Sequence, residues 1–171
     1  MQHLVTPQEV VKLGRPIGKV DTEKLLAYIS ETEQLNIKPV IGTKLFLDIL
    51  DEKEDRDPRF DTLLNGGTYE DERDGIMSFV GLKVTISYFV YAQNVMSGDF
   101  QSTRYGMVMK DGEFSNHISS KERSDCYNNT LEVANAYLRD CVAYCKSVGL
   151  ISSAGKATAF TGGIRIRRIG N

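Results

Sequence analysis

Tryptophan is absent from these 171 residues, histidine occurs twice and cysteine three times. Each scarcity narrows the possibilities. Cys126, Cys141 and Cys145 are an odd number with no disulfide framework, which suits a reducing compartment. His3 and His117 are the readiest general bases, but neither is placed for catalysis: His3 is near the start, and His117 lies in a Ser/Asn-rich stretch that reads as a loop. Carboxylates crowd between Asp48 and Asp57, yet crowding in a polar loop gives no reason for one to stay protonated for acid/base work. Gly66-Gly67-Thr68 and Gly162-Gly163 lack the strand, spacing and lysine of a phosphate loop. The sequence therefore points away from an enzyme, with no catalytic residue, no cofactor and no metal. Cys141 and Cys145 share a helix face at i, i+4, where two thiolates could begin a zinc site. They lie in an apolar stripe with no gathering of further ligands, and read as buried core thiols.

No window approaches the ~18 uninterrupted apolar residues of a membrane span, and no charged-then-apolar signal opens the chain. The expectation is a soluble protein, not exported by that route and with no membrane partner. With 41% hydrophobic residues the chain can bury a core, as one domain plus an appendage. The formal charge of −2 hides an asymmetry. From Gly149 onward there are four basic residues and no acidic ones, which leaves 17 basic against 23 acidic in the residues before it. Much of the acid stands at Asp48, Asp51, Glu52, Glu54, Asp55 and Asp57, facing only Lys53 and Arg56.

The pattern of the body is mainly helical. Thr6-Pro7-Gln8-Glu9 is a capping box before Val10, Val11 and Leu13. Asp21 caps a second helix with Leu25, Leu26, Ile29, Glu33 and Ile37 at three-to-four spacing. Pro39 is expected to break or kink it near Ile37-Lys38, leaving Val40 and Ile41 on a turn before Gly42, with Thr43 capping the next segment. Pro58 restarts the chain into a short helix ended by Asn65-Gly66-Gly67. Thr68-Tyr69 and Met77–Val80 are short strands of a hairpin, and Leu82–Met96 is a buried helix. Met107–Met109 runs into Lys110-Asp111-Gly112-Glu113, where Asp-Gly signals a tight turn between strands. Ser119 or Ser120 caps the longest helix, whose stripe Tyr127, Leu131, Ala134, Leu138, Cys141, Cys145 and Val148 is nearly a heptad seam closed by Gly149. That seam is expected to pack against Leu82–Met96.

The last residues are built differently. Ser152, Ser153, Ala154, Gly155 and Ala157 read as a flexible connection. Ile164-Arg165-Ile166-Arg167-Arg168-Ile169 then alternates apolar and basic side chains as a strand does. A strand on a flexible arm needs a sheet edge elsewhere, and another chain can supply it, so these six residues are the candidate protein-interaction site. The division is a helical domain at 1–149 and an arm at 150–171. An alternative is a small nucleic-acid-binding or regulatory helical protein using its basic arm, since Lys156, Arg165, Arg167 and Arg168 could neutralise phosphates. The acidic body and the mixed charges of the longest helix weigh against a recognition helix.

Three stretches carry a family resemblance. Leu25-Leu26-Ala27-Tyr28-Ile29 through Glu33, Ile37, Pro39, Ile41-Gly42, Leu45, Phe46 and Leu50 resembles the opening of head-tail connector, or adaptor, proteins of tailed bacteriophages. Leu63-Leu64-Asn65-Gly66-Gly67-Thr68-Tyr69 with Gly81-Leu82-Lys83, and Thr103-Arg104-Tyr105-Gly106-Met107-Val108-Met109-Lys110, resemble versions in phages of gut Bacteroidales, including the crAss-like group. The resemblance covers most of residues 21 to 148. It implies a mainly α virion protein at the neck, made in the host cytoplasm. Such proteins form a homo-oligomeric ring, typically of twelve copies, that binds the portal protein and the next tail or neck component. The ring continues the channel near packaged DNA, and its subunits' arms reach to the portal or to a neighbouring copy.

Overall fold

The computed structural model describes residues 2–17, 20–51, 56–71, 75–97, 100–103, 106–109 and 119–152, with 100–103 and 106–109 described as backbone only. It is mainly helical. The helix α1 (Pro7–Leu13) begins at the Thr6 capping box: the Thr6 hydroxyl accepts from Glu9 N–H, and the Glu9 carboxylate accepts from Thr6 N–H. The next, α2 (Thr22–Thr32), is capped by the Asp21 carboxylate.

Beyond α2 the chain departs from expectation at Pro39. Instead of breaking, the helix widens into a π turn over Glu33–Ile37 and continues as α3 (Lys38–Ile41), so Val40 and Ile41 are helical. The physical reason is the shifted register: the Lys38 N–H bonds to the Glu33 carbonyl five residues back. Pro39 then stands where its missing N–H and bulky ring are tolerated. Thr43 does not cap α4 (Thr43–Leu50). Gly42 takes that position at φ +89°, and Thr43 is the first helical residue.

Asp57 caps α5 (Pro58–Asn65), which leads into an antiparallel hairpin of β1 (Gly67–Asp71) and β2 (Gly75–Phe79). Its register sets Tyr69 opposite Met77 and Glu70 opposite Ile76. After the hairpin come α6 (Leu82–Ser97) and a second hairpin, β3 (Phe100–Thr103) with β4 (Gly106–Met109). Met107–Met109 was expected to pair with a strand beyond Asp111-Gly112. In the described residues it pairs with the strand before it, across a connection of two residues, the length tight hairpins favour. Asp111-Gly112 lies outside the described residues.

The longest helix, α7 (Ser120–Ser147), starts at a second capping box, Ser119 with Glu122, and packs most extensively against α6. Ala134, Leu138, Cys141 and Cys145 of the expected seam are buried, as are Leu82, Ile86, Phe89 and Val90 opposite them. Fully burying each large apolar side chain contributes roughly 1.5 to 3 kcal/mol, so this pairing dominates the core. Nearer the start of α7 the buried stripe rotates onto Thr130. Arg15 reaches across from the end of α1, donating to Thr130 Oγ1 at 3.1 Å and Asn129 Oδ1 at 2.9 Å, with its guanidinium over the rings of Tyr88 and Tyr91. Leu150 and Ile151, assigned by sequence to the arm, are partly buried against the core, and their N–H groups donate to the Cys145 carbonyl.

Candidate functional site

The hairpin β1–β2 stands on one aromatic foot. Tyr69 and Phe79 share a face of the two strands, and both meet Tyr144 of α7: Phe79 stacks on it at 4.6 Å between centroids, and Tyr69 approaches edge-on at 5.5 Å. The Tyr144 hydroxyl donates to the Arg59 carbonyl, and the Arg59 guanidinium donates to the Val148 carbonyl, which fastens α5 and the end of α7 beside the same foot. The opposite face carries Thr68, Glu70, Ile76 and Ser78, all exposed, and Ile76 is 83% exposed. β2 has β1 as its sole strand neighbour among the described residues. A two-stranded ribbon is marginal in water by itself, and an exposed edge is a template for further pairing.

A second set of apolar side chains faces outward around the π turn. Leu35 is 72% exposed, Leu47 is 56% and Val40 is 47%. Behind Leu35, Glu33 is buried at 2% exposure, drawn inward by the N-terminal residues. Its carboxylate accepts from the Leu4 N–H at 2.6 Å and lies 2.8 Å from His3 Nδ1. Burial pushes this carboxyl above its usual range, although both contacts oppose the shift. The spacing of Glu33 in the α2 stripe is legible in sequence, but its polar partners thirty residues away are not.

Two open cavities flank α4 and α5. One of about 340 Å³ is lined by Ile41, Lys44, Asp48, Arg59, Phe60 and Ile151, among others. The other, about 180 Å³, lies among His3, Thr6, Glu9, Arg56, Leu64 and Lys83. Glu9 and Lys83 pair there at 2.7 Å. Burial alone would raise Glu9, but the ammonium and the Thr6 donors outweigh it and hold the carboxyl below its usual range.

Cys141 and Cys145 are core thiols. Burial pushes Cys141 up to about 11 and Cys145 up to about 12, and Cys141 Sγ lies 3.6 Å from Thr85 Oγ1. No three His, Cys, Asp or Glu side chains converge as metal ligands among the described residues. No helix among them is long and apolar enough to cross a membrane. Ile164, Arg165, Ile166, Arg167, Arg168 and Ile169, the interaction residues read from sequence, lie outside the described residues, as does His117. The described chain ends at Ser152, just after Leu150 and Ile151, which bond to the Cys145 carbonyl next to Tyr144 in sequence.

No curated protein matches the chain. No solved structure matches it either. Residues 37–148 match a family model running from the π turn to the end of α7, and the chain belongs to that family, DUF6712, a family of unknown function.

Proposed function

We propose that this chain is a structural virion protein of a tailed bacteriophage, one that forms a ring below the portal, joins capsid to tail and continues the DNA channel. The observation that carries the reading is where the resembling residues fall. Leu25, Ile29, Ile37, Ile41, Leu45, Phe46, Leu63 and Leu64 are all buried, and Gly42, Gly66 and Gly81 take positive φ where helices start or end. The likeness to connectors therefore lies in residues that specify the fold. A mainly helical protomer is what that likeness implies, and the exposed apolar side chains at Ile76, Leu35 and Leu47 suit burial between subunits. In this reading the protein works by assembly: the α6–α7 seam builds the protomer, and the basic arm clips the ring to the portal or to the adjacent copy.

The test is a truncation after Ser152, which keeps Leu150 and Ile151 on the core. The shortened chain should retain its helical circular dichroism and lose binding to the portal protein. Undiminished binding would remove the clip role. Salt-dependent binding to duplex DNA, with no affinity for a portal, would favour a nucleic-acid-binding protein instead.

A further inference from the structure

We propose that the outer edge of β2 (Gly75–Phe79) receives Ile164–Ile169 of a second copy of this chain as a third strand. The proposal rests on the reading of the chain as a self-assembling structural protein and names where two copies meet. Three properties of the edge fit that segment. The edge is accessible: Gly75, Ile76, Met77 and Ser78 are exposed, and only Phe79 is buried. It is apolar where an isoleucine would pair, because Ile76 is 83% exposed on the face turned away from the aromatic foot. Cross-strand contacts between apolar side chains contribute roughly 0.2–1 kcal/mol each.

Charge complements shape. Between Glu70 and Asp74 the hairpin carries Glu70, Asp71, Glu72 and Asp74 against Arg73 alone, a net of −3, and the segment carries Arg165, Arg167 and Arg168, a net of +3. Opposite signs favour encounter and oppose stacking of one hairpin edge on another. The alternation places Ile164 and Ile166 on one face and Arg165 and Arg167 on the other, so one strand can cover Ile76 while its arginines approach the acidic end.

Reach is sufficient. Residues 153–163 separate the described core from the segment, and eleven residues extend to at most about 36–40 Å. The chain leaves the core beyond Cys145, next to Tyr144, on which the hairpin stands. A head-to-tail contact of this kind gives every copy one edge to offer and one strand to donate, which a closed ring can satisfy throughout.

The experiment uses two full-length chains, both with Cys126→Ser, one carrying Ile76→Cys and the other Ile166→Cys. They are mixed with portal protein and treated with a short bis-maleimide, which spans direct and diagonal cross-strand neighbours alike, about 5–8 Å apart. The expected result is a covalent dimer of the two different chains, reduced at least several-fold when Arg165 and Arg167 are changed to Glu. It should also exceed, by a similar factor, the yield with Asn135→Cys in place of Ile76→Cys. Equal yields with that control would overturn the proposal. So would a cross-link found only within a single chain carrying both Ile76→Cys and Ile166→Cys, because the segment would then fold back on its own hairpin. Absence of the cross-link while the mass of the mixture shows a ring overturns the β2 site and leaves the assembly reading standing. Absence of both overturns the two together.

Discussion

Gly66 and Gly81 meet backbone to backbone: a Cβ on Gly81 would stand 2.3 Å from the Gly66 nitrogen, and one on Gly66 would stand 2.5 Å from the Val80 carbonyl carbon. Both residues have positive φ, +82° and +85°. Their contact closes the base of the β1–β2 hairpin and sets the end of α5 against the start of α6. Gly81→Ala should therefore combine a backbone clash with left-handed strain and cost roughly 2–4 kcal/mol, or prevent folding altogether. Gly75→Ala, also at positive φ but with nothing within 4 Å of the added carbon, should cost only about 1–2 kcal/mol. Urea titrations of the two variants separate the cases, and equal losses would mean that the close approach is unimportant.

The buried Glu33 makes a pH prediction with a definite sign. Its folded pKa is raised, so the folded chain holds this proton more tightly than the unfolded chain does. The resulting stabilisation is present below the ordinary carboxyl value of 4.5 and is lost as pH rises through the higher folded value. Glu33→Gln keeps the shape and cannot titrate. Thermal melts at several pH values should show wild type losing stability relative to Glu33→Gln as pH increases over that window. A constant difference between the two would contradict the assignment.

Thiol chemistry gives a third prediction. Cys141 and Cys145 are fully buried with raised pKa values, and Cys126 is half-buried. Because the thiolate is the reactive form, mild alkylation of the folded protein near pH 8 should add one group, at Cys126, and three after denaturation. Rapid native modification at Cys141 would show that the α6–α7 seam opens.

The foot of the hairpin can be tested directly. Tyr144→Phe removes the donation to the Arg59 carbonyl and keeps the stacking on Phe79, so it should cost about 0.5–1.5 kcal/mol. Phe79→Ala removes the stacked ring and should cost about 3–5 kcal/mol. The order of the two in denaturant midpoint is the result to check.

What could be read in the sequence follows from how local each signal is. Thr6 with Glu9, and Asp21, are helix starts written within four residues that cap as their spacing indicates, and of the two serines before the longest helix Ser119 is the cap. The seam from Ala134 to Cys145 is equally legible, because one face of a helix repeats in the chain itself. Pro39 misled because the π turn that accommodates it begins at Glu33, a residue held inward by His3 and Leu4 from far along the sequence. Gly66 and Gly81 could be read as turn residues, but their mutual contact belongs to the packing of α5 on α6. Tyr144 gave no sign from its spacing that it would support a hairpin, since it only flanks the seam. The alternation and charge of Ile164–Ile169 could be read because they repeat within six residues, and the β2 edge proposed to receive them could not, because it depends on the pairing of β1 with β2.

Copies of this chain are proposed to assemble into a ring through their terminal segments. The most direct test is the particle mass of the full-length protein mixed with portal protein, beside the same mixture with the chain truncated after Ser152. The full chain should give a ring-sized complex, and truncation should abolish it. A full-length protein that stays monomeric in the presence of portal, or a truncated one that assembles as well, would contradict the proposal.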